Sequence, residues 1–414
     1  MTIRTREDVA AHVEAAIHFG APGVVGAELE WLVVDRARPL TRPDLDRVSA
    51  ALQHVGPLPG GSVLSTEPGG QVELSSAPQQ GPNGAVRALV EDVDLVRSRL
   101  SAAGIAMTGM GTDPCRPPVR LVDSSRYDVM EAFYVRMGQP CTSAGRAMMC
   151  SSAAVQVSLD AGTTGSGVQS VGQRWQRAHA VGPALVAAFA CSPLLEGAPT
   201  GWQSTRQRFW ADIDPSRTRP PAPDLGPVEA LTELALSAQV MAVCDGTGNC
   251  RPGPRGATFA DWMASSGPTT AELDYHLTTL FPPVRLRGWL ELRYLDMLPD
   301  PLWQVAVAVA AAVLDDDRAA DAARAACAPV EGRWRDAARL ATDDAALAAA
   351  GLGCLLAAAE ALPRMGAPDL LPAVVAFADR YTARGRCPAD DVLEAHRAGV
   401  PAGLLLLGEA RVPA

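Results

Sequence analysis

Glutamates stand at alternate positions inside short apolar runs of this chain. Residues 24–34 read Val-Val-Gly-Ala-Glu-Leu-Glu-Trp-Leu-Val-Val, with Glu28 and Glu30 two positions apart, and residues 71–75 place Glu73 between Val and Leu. Successive side chains of a strand point to opposite faces of a sheet. The pattern therefore predicts two strands that bury their apolar residues and turn their glutamates to the other face.

Two further segments follow the same alternation. Residues 287–295 place Glu291 and Arg293 on one side of an apolar strand, and residues 153–160 place Gln156 among polar side chains on one side. Such alternation is also typical of any half-exposed antiparallel strand, so each segment alone has a purely structural interpretation. Together, the four segments predict a sheet with one polar, solvent-facing surface that carries the functional residues.

Helical periodicity fills much of the remaining chain. Apolar residues recur at helical spacing in residues 7–19, 83–103 and 171–190, and the Ala-rich segment 301–414 is helical almost to its end. Strands scattered among helices, without regular strand–helix alternation, indicate an α+β fold. Because no linker or repeat interrupts the pattern, we expect a single domain of all 414 residues, with the C-terminal helices packed on the sheet.

Composition limits the chemistry that this chain can perform. The residues are 48% hydrophobic, which suits a globular protein, and the formal net charge of −10 argues against the basic face that nucleic acids need. All 36 residues in the combined lysine and arginine count are arginine. A Walker phosphate loop and a pyridoxal phosphate Schiff base both need lysine, so the sequence excludes both.

The cysteines and the apolar runs indicate a cytoplasmic protein. Nine cysteines show no CxxC spacing, and an odd count without a visible export signal indicates reduced thiols. Cys244 and Cys250 flank a Gly-rich loop and could pair, but free thiols are the favoured interpretation. The longest apolar runs, such as residues 305–314, are shorter than a membrane span, so we expect no membrane segment.

Carboxylates gathered on one face of a sheet repel one another. Two unit charges about 4 Å apart cost ~1 kcal/mol in water and ~4 kcal/mol at an effective dielectric of 20. Glu67, at a Pro-Gly-Gly bend before the Glu73 strand, adds a further carboxylate. Glutamate oxygens, completed by Gln156 or water, suit Mg²⁺ or Mn²⁺, and Mg²⁺ held by few protein ligands commonly bridges substrate phosphates. The hypothesis is a metal–nucleotide enzyme without a phosphate loop.

The same residues resemble a known family, the glutamate–cysteine ligases of the plant and bacterial type, which are related to glutamine synthetase. The matching stretches follow one another over about residues 24–300: Gly26-Ala27-Glu28-Leu29-Glu30, Glu67-Pro68-Gly69-Gly70-Gln71-Val72-Glu73, Arg126-Tyr127, Val155-Gln156-Val157-Ser158, Ser204-Thr205-Arg206 with Trp210, Arg217-Thr218, and Leu290-Glu291-Leu292-Arg293. The resemblance implies a cradle-like, mostly antiparallel sheet with surrounding helices.

The resemblance also implies an activity. Such ligases bind ATP, Mg²⁺ (or Mn²⁺), L-glutamate and L-cysteine. The γ-carboxylate of glutamate attacks the γ-phosphate of ATP, and the cysteine amine then displaces phosphate from γ-glutamyl phosphate to give γ-glutamylcysteine. Catalysis of this kind depends on positioning and charge neutralisation. The chain most resembles the bacterial branch that serves ergothioneine biosynthesis, with glutathione synthesis as the other destination.

Candidate site residues follow from the resemblance, position by position. The candidate metal ligands are Glu28, Glu30, Glu67, Glu73 and Glu291. The residues expected at the metal or nucleotide are Gln156 and Arg293, and the catalytic set is Glu28, Glu73, Glu291 and Arg206. A guanidinium matches a carboxylate or a phosphate. The candidate substrate contacts are therefore Arg206, Arg217, Arg126 and Arg293, with Tyr127 and Trp210 as pocket walls.

Two departures from the family pattern leave alternatives open. Ser158 stands where family members often carry Asn, and Tyr294-Leu295 follows the last strand arginine in place of Gly-Ala. A ligase of the same fold that uses another amine is one alternative, and a non-catalytic binding relative is a second. The sequence allows either a monomer or a homodimer.

Overall fold

The computed structural model describes residues 2–53, 55–244 and 248–408. Its strands, in chain order, are β1 (Val24–Asp35), β2 (Val63–Thr66), β3 (Val72–Ser75), β4 (Gln79–Gln80), β5 (Ile105–Thr108), β6 (Ala154–Asp160), β7 (Leu194–Leu195), β8 (Ala198–Pro199), β9 (Ala242–Cys244), β10 (Cys250–Pro252), β11 (Val284–Leu286) and β12 (Trp289–Asp296). Every ladder between these strands is antiparallel.

The central sheet runs in the order β11-β12-β6-β1-β3-β2. Strand β1 also pairs with β4 near its beginning and with β5 at its end. Its residues Val25, Ala27 and Leu29 are buried in the core. The alternation then places Glu28 and Glu30 on the opposite face of the sheet. The predicted α+β fold with a mostly antiparallel sheet is confirmed.

Helices surround the sheet. In chain order they are α1 (Arg6–Ala15), α2 (Leu45–Leu52), α3 (Gly81–Ala102), α4 (Ser125–Met137), α5 (Cys141–Ser151), α6 (Val171–Ala180), α7 (Gly182–Ala188), α8 (Thr205–Ile213), α9 (Pro215–Thr218), α10 (Pro227–Ser237), α11 (Phe259–Ser266), α12 (Thr270–Leu277), α13 (Leu302–Asp315), α14 (Asp317–Cys327), α15 (Trp334–Leu340), α16 (Ala345–Ala361), α17 (Leu371–Arg380), α18 (Pro388–Arg397) and α19 (Ala402–Leu406). Short 3₁₀ turns lie at Ala328–Val330, Ala341–Asp343, Pro368–Leu370 and Thr382–Arg384.

The helices after residue 301 pack against the apolar side of the sheet. Helix α13 is buried along nearly its whole length and contacts both β6 and α16, where alanines allow the backbones to approach closely. One hydrophobic cluster extends from Ile3 through the central strands to Leu405. This continuity supports the interpretation as one domain, which stays a prediction.

Two of the predicted helices are interrupted. Residues 171–190 form α6 and α7, which separate at Val181, just before Pro183. The helical run around Ala341 bends by 88° between Trp334–Asp343 and Ala345–Ala361. Hydrophobic periodicity continues across both breaks, so it does not reveal them.

Within the described residues, no single helix combines the length and the apolar character needed to cross a membrane. The bent pair named above passes that test only when its two helices are counted together, on length and composition alone. Its residues Leu347, Ala350 and Leu355 are buried in the protein core.

The hairpin formed by β9 and β10 carries a disulfide bond. Cys244 and Cys250 stand opposite each other in its register, and their sulfur atoms are bonded. The preference for free thiols at this pair is therefore wrong, because the hairpin register, which the spacing does not reveal, places the two residues face to face. The Cys250 N–H donates to Ser125 Oγ at 3.1 Å, so the hairpin rests on the start of α4.

Candidate active site

The glutamates that were predicted to share a face do so. Glu30 lies directly opposite Glu73 in the pairing of β1 with β3, and Glu28 lies opposite Gln156 in the pairing of β1 with β6. Glu291 stands on β12, the next strand along. Four neighbouring strands therefore present these side chains side by side.

Glu67 reaches the same face from the turn between β2 and β3. The Glu67 N–H donates to the Gln71 carbonyl, and the Gly70 N–H donates to the Glu67 carbonyl, both at 2.8 Å. Gly70 has φ of 86°, which favours glycine. Gly69 packs so tightly that an added Cβ would stand 2.2 Å from the Cys150 carbonyl oxygen. The turn is thus held in place.

We call Glu28, Glu30, Glu67, Glu73, Gln156 and Glu291 the acidic face.

Burial and mutual repulsion raise the pKa of three carboxyls on the acidic face. Burial, with the charges of Glu291 and Glu73, raises the pKa of Glu28 to about 7. Burial, with the charges of Glu73 and Glu28, raises the pKa of Glu67 to about 7. Burial, with Glu67 and Glu73, raises the pKa of Glu30 well above its ordinary value. These carboxyls therefore favour the uptake of protons or cations.

Gln156 provides the observation that tests a cation site. Its Nε2 donates to Glu30 Oε1 at 3.1 Å, while its Oε1 is buried without a hydrogen-bond partner. A buried carbonyl oxygen left unpaired is unfavourable until a donor or a cation meets it. Among the described residues, no three His, Cys, Asp or Glu side chains already converge on one point in this conformation. The oxygen-only donor set nevertheless fits Mg²⁺ or Mn²⁺.

Glu291 differs from the other glutamates because two arginines neutralise it. Arg285, on the edge strand β11, donates through Nε and Nη2 to its two carboxylate oxygens at 2.9 and 2.7 Å. Arg293 donates to the same carboxylate. Burial alone would raise the pKa of Glu291, but Arg293 and Arg285 outweigh it and lower the pKa. Its role as a metal ligand stays a prediction that requires an arginine to be displaced.

Arg206 lies beside strand β12. Its buried side chain donates to the backbone oxygens of Arg293 at 2.9 Å and Leu295 at 3.3 Å, and its Nε has no hydrogen-bond partner. Burial lowers the pKa of its guanidinium, and the charges of Asp296 and Glu30 oppose that shift. Arg206 remains a candidate for substrate contact, because its Nε–H is unpaired and its guanidinium lies close to the charge of Glu30.

Arg217 has a structural role. Its fully buried side chain donates to Asp214 Oδ2 at 2.9 Å and to the backbone oxygens of Thr279 and Gln239 at 2.9 and 2.7 Å. The guanidinium carbon also lies 4.6 Å from the centre of the Phe133 ring. Because these contacts occupy its Nε and both Nη groups inside the protein, the structure does not support the predicted contact with substrate.

Tyr127 lies near the acidic face in the first turn of α4, and Arg126 precedes it in the same turn. Burial, with the charge of Glu67, raises the pKa of Tyr127, which shows that its hydroxyl lies in the field of that carboxyl. Arg126 donates to Thr278 Oγ1 at 3.1 Å and remains partly exposed. Tyr127 is thus close to the acidic face, and Arg126 lies next to it in the chain.

Trp210 packs within an apolar cluster. Its ring centre is 5.4 Å from that of Phe281, and the cluster also holds Phe209 and Met130. The structure therefore explains Trp210 by packing. Its role as a pocket wall stays a prediction.

Sequence reasoning missed Arg285 and left Asp296 without a role. Arg285 is the polar member of the alternating Val-Arg-Leu segment 284–286, a signal that could have found it. Asp296 is buried and accepts hydrogen bonds from Ser192 Oγ at 2.6 Å and Ser204 Oγ at 2.9 Å. Since Ser204 caps the start of α8, Asp296 ties that helix, which carries Arg206, to the end of β12.

A solved structure shares this architecture. The glutamate–cysteine ligase (gshA) of Francisella tularensis in complex with AMP superimposes with a TM-score of 0.53, over 95% of this chain and 89% of that chain. The two sequences are 11% identical, so the likeness concerns the fold alone. The fold is that of a glutamate–cysteine ligase.

Sequence comparison then identifies the family. The profile of glutamate-cysteine ligase family 2 (GCS2) matches residues 24–404, and the chain belongs to this family. Glutamate–cysteine ligase EgtA of Mycolicibacterium smegmatis is 42% identical over 394 residues, covering 93% of this chain and 90% of that protein. EgtA of Mycobacterium tuberculosis (strain H37Rv) is 42% identical over 383 residues, covering 90% and 86%. The chloroplastic glutamate–cysteine ligase of Medicago truncatula is 30% identical over 273 residues, covering 62% and 51%. The predicted family is confirmed.

Proposed function

We propose that this protein joins the γ-carboxylate of L-glutamate to the amino group of L-cysteine, with ATP as co-substrate, through γ-glutamyl phosphate. The products are γ-glutamylcysteine, ADP and phosphate. The acidic face is the observation that carries the proposal, since carboxyls with raised pKa values share one face of the sheet with a buried, unpaired Gln156 oxygen. Relatives named glutamate–cysteine ligase EgtA, at 42% identity, support the same reaction.

Glu28, Glu30, Glu67 and Glu73 would hold Mg²⁺ or Mn²⁺, with Gln156 beside them and Glu291 as a further candidate ligand. A divalent cation bound there would supply charge neutralisation for the phosphate oxygens of ATP and would polarise the transferred phosphoryl group. The contribution of the chain is to hold these side chains in register, because the pairing of β1 with β3 and β6 fixes Glu30 opposite Glu73 and Glu28 opposite Gln156.

Arginines would supply the positive charge at this site. Arg293 lies in the fields of Glu291 and Glu28, next to the carboxylates that would hold the cation. A guanidinium in that position stabilises the charge that develops on a phosphoryl group during transfer. Arg206, and Arg126 with Tyr127 on the Glu67 side, are the candidates for binding the glutamate carboxylates.

We place the product in ergothioneine biosynthesis and the reaction in the cytoplasm. The bacterial EgtA proteins align with this chain over 86–90% of their length, whereas the plant protein from Medicago truncatula aligns over 51% of its length. Extensive alignment with the EgtA proteins supports that branch over glutathione synthesis. The cytoplasm is where ATP and both amino acids are available together.

Phosphate release from Mg-ATP tests the proposal. The purified protein is given L-glutamate, and L-cysteine, L-serine, glycine or L-alanine is added in separate reactions, with product mass as the second readout. We expect release that depends on both glutamate and cysteine, and a product with the mass of γ-glutamylcysteine. Phosphate release that depends on another amine would show that this amine, and not cysteine, is the acceptor. No release with any amine would contradict the ligase assignment.

A further inference from the structure

A cavity of about 390 Å³ lies among helices that pack on the sheet, and its lining includes no residue of the acidic face. Helix α6 contributes Trp175, Gln176 and His179, and the connector between α9 and α10 contributes residues 220–223. Arg324, Glu331 and Trp334 line it from the C-terminal helical region. Small-molecule sites commonly have volumes of about 300–1,000 Å³. The cavity is therefore large enough for a small ligand.

His179 has an unused hydrogen-bond acceptor at this cavity. Its Nδ1 lies 2.8 Å from the Trp175 carbonyl oxygen, so Nδ1 carries a proton and donates it to that bond. Burial lowers the pKa of His179 to about 4, so the ring is neutral and Nε2 is an acceptor. That Nε2 is buried without a partner. The prolines of the connector have no N–H to offer it, so a donor on a ligand would satisfy this nitrogen.

Trp334 gives the cavity a flat apolar surface. The side chain is half-buried and rests on Gly182, where an added Cβ would stand 2.0 Å from Trp334 Cη2. This close contact fixes the position of the indole. Aromatic rings pair with such a surface in offset or edge-on arrangements. The lining therefore favours a ligand with a planar ring.

Two opposite charges stand at the same cavity. Arg324 and Glu331 are both exposed, and neither forms a salt bridge with another described residue. A carboxylate suits the guanidinium of Arg324, and an ammonium suits Glu331. A simple anion or cation would meet one of the two as a repulsive partner. An α-amino acid carries both of the required charges.

Tyr294 connects this cavity to the strand that carries Glu291. Its ring packs edge-on against Trp334 with centroids 5.4 Å apart, and its hydroxyl donates to the Ala178 carbonyl of α6 at 3.2 Å. The preceding residue, Arg293, donates to Glu291. A ligand that holds Trp334 and α6 in place therefore holds β12 in an arrangement in which arginines occupy the Glu291 carboxylate.

We propose that this cavity binds an aromatic α-amino acid whose ring carries an N–H or O–H, and that its occupancy inhibits the enzyme. The ring lies beside Trp334 and donates to His179 Nε2, while the carboxylate and the ammonium meet Arg324 and Glu331. A ligand shifts a protein toward the arrangement that it binds better. Here that arrangement keeps Glu291 from a cation. The inhibitory part rests on the proposed function, and the binding part does not.

Calorimetric titration of the purified protein tests the site. The probes are L-tryptophan and L-tyrosine, each with an analogue that lacks the ring donor: β-(3-benzothienyl)-L-alanine, in which sulfur replaces the indole N–H, and L-phenylalanine. Tryptamine lacks the carboxylate, and indole-3-propionate lacks the ammonium. We expect L-tryptophan or L-tyrosine to bind, and the donor-free analogue to bind about 2- to 12-fold more weakly, the effect of one hydrogen bond. Tryptamine and indole-3-propionate should both bind more weakly than L-tryptophan.

Variants connect the binding to these residues. His179→Phe keeps a ring without the acceptor, and should bring L-tryptophan to the affinity of its sulfur analogue. Arg324→Gln and Glu331→Gln should each weaken binding by about 1.5- to 5-fold, the effect of one exposed charge pair. Arg318→Gln on α14 and Glu360→Gln on α16, at exposed positions outside the cavity lining, are the matched controls and should bind as wild type.

Turnover with Mg-ATP, L-glutamate and L-cysteine tests the inhibition. We expect saturating L-tryptophan to lower turnover by about 5-fold or more, a usual size of coupling between two sites. Excess glutamate should not relieve the effect, and the His179→Phe protein should need more L-tryptophan to reach it.

Three outcomes would overturn the proposal. One is no binding of L-tryptophan or L-tyrosine up to the solubility limit of each. The second is equal affinity for the donor-free analogues, and the third is inhibition that excess glutamate removes, which would place the ligand in the candidate active site. If L-tryptophan binds as expected but the protein never turns over with glutamate and cysteine, the proposed function fails and the binding site stands.

Discussion

Glu30 and Glu73 face each other directly across the antiparallel pairing of β1 with β3. Like charges in directly opposed positions destabilise a sheet, and here no basic side chain stands between them in the register. Ser65 Oγ donates to Glu73 at 2.9 Å, and Gln156 Nε2 donates to Glu30 at 3.1 Å, but neither partner carries charge. Repulsion within this pair therefore lowers the stability of the cation-free protein. A bound cation would offset the repulsion and would also serve the reaction.

Cation binding should depend on pH in a defined direction. The pKa values of Glu28 and Glu67 are raised to about 7 in the folded protein from 4.5, so the folded state binds more protons than the unfolded state between those values. Without a cation, these two groups should make stability fall as pH rises through that window. We expect Mn²⁺ or Mg²⁺ to raise Tm more at pH 8 than at pH 6, measured by calorimetry. An equal rise at both values would contradict a site built on these carboxyls.

Replacing Glu73 with Gln should separate stability from activity. The change removes one of two opposed charges, so the cation-free protein should keep or increase its Tm. Turnover should fall by about 100-fold or more, because cation stabilisation of a phosphoryl group is worth several kcal/mol. Glu91→Gln, at an exposed position on α3, is the control and should behave as wild type. A folded Glu73→Gln protein with full turnover would remove Glu73 from the cation site.

Replacing Arg285 with Gln should loosen the hold on Glu291. The variant leaves that buried carboxylate with Arg293 alone, so the free energy of unfolding without cation should fall by about 1–3 kcal/mol. Mn²⁺ should then compete with one arginine in place of two, and the Tm gain on adding Mn²⁺ should exceed that of wild type. The exposed neighbour Arg287, changed to Gln, serves as the control. Identical Mn²⁺-induced gains in all three proteins would show that Glu291 takes no part in cation binding.

Replacing Arg217 with Gln should destabilise the protein without a selective effect on substrate binding. Arg217 and Asp214 form a buried ion pair at 2.9 Å, and breaking such a pair strands a buried charge at a cost of about 3–5 kcal/mol. Chemical denaturation should show this loss, while Arg219→Gln on the exposed side should show almost none. If Arg217→Gln kept wild-type stability and raised KM for glutamate alone, the original interpretation as a substrate contact would be restored.

Local alternation was sufficient to find the acidic face. Glu28, Glu30 and Glu73 each follow from a period of two inside an apolar run, and strand pairing carries that pattern directly into space. The Pro-Gly-Gly bend added Glu67, and the alternation in residues 153–160 added Gln156. Both lie where strands or a tight turn define side-chain direction within a few residues.

Features that depend on distant contacts could not be obtained in this way. Arg217 looks like a ligand for an anion in the sequence, but Gln239 and Phe133, far from it in the chain, enclose its guanidinium. The bond between Cys244 and Cys250 depends on the register of a hairpin whose pairing the spacing does not reveal. The break at Val181 likewise lies within continuous periodicity.

The close packing at Gly69 limits which residues this position can hold. The carbonyl oxygen of Cys150 lies where any side chain at position 69 would begin, and the neighbouring Pro68 carbonyl accepts the Leu121 and Val122 N–H groups. A larger residue would push the Glu67 turn away from α5 and shift a carboxylate of the acidic face. Folding should therefore tolerate an added Cβ at Gly26, where it would meet only ordinary contacts, far more readily than at Gly69.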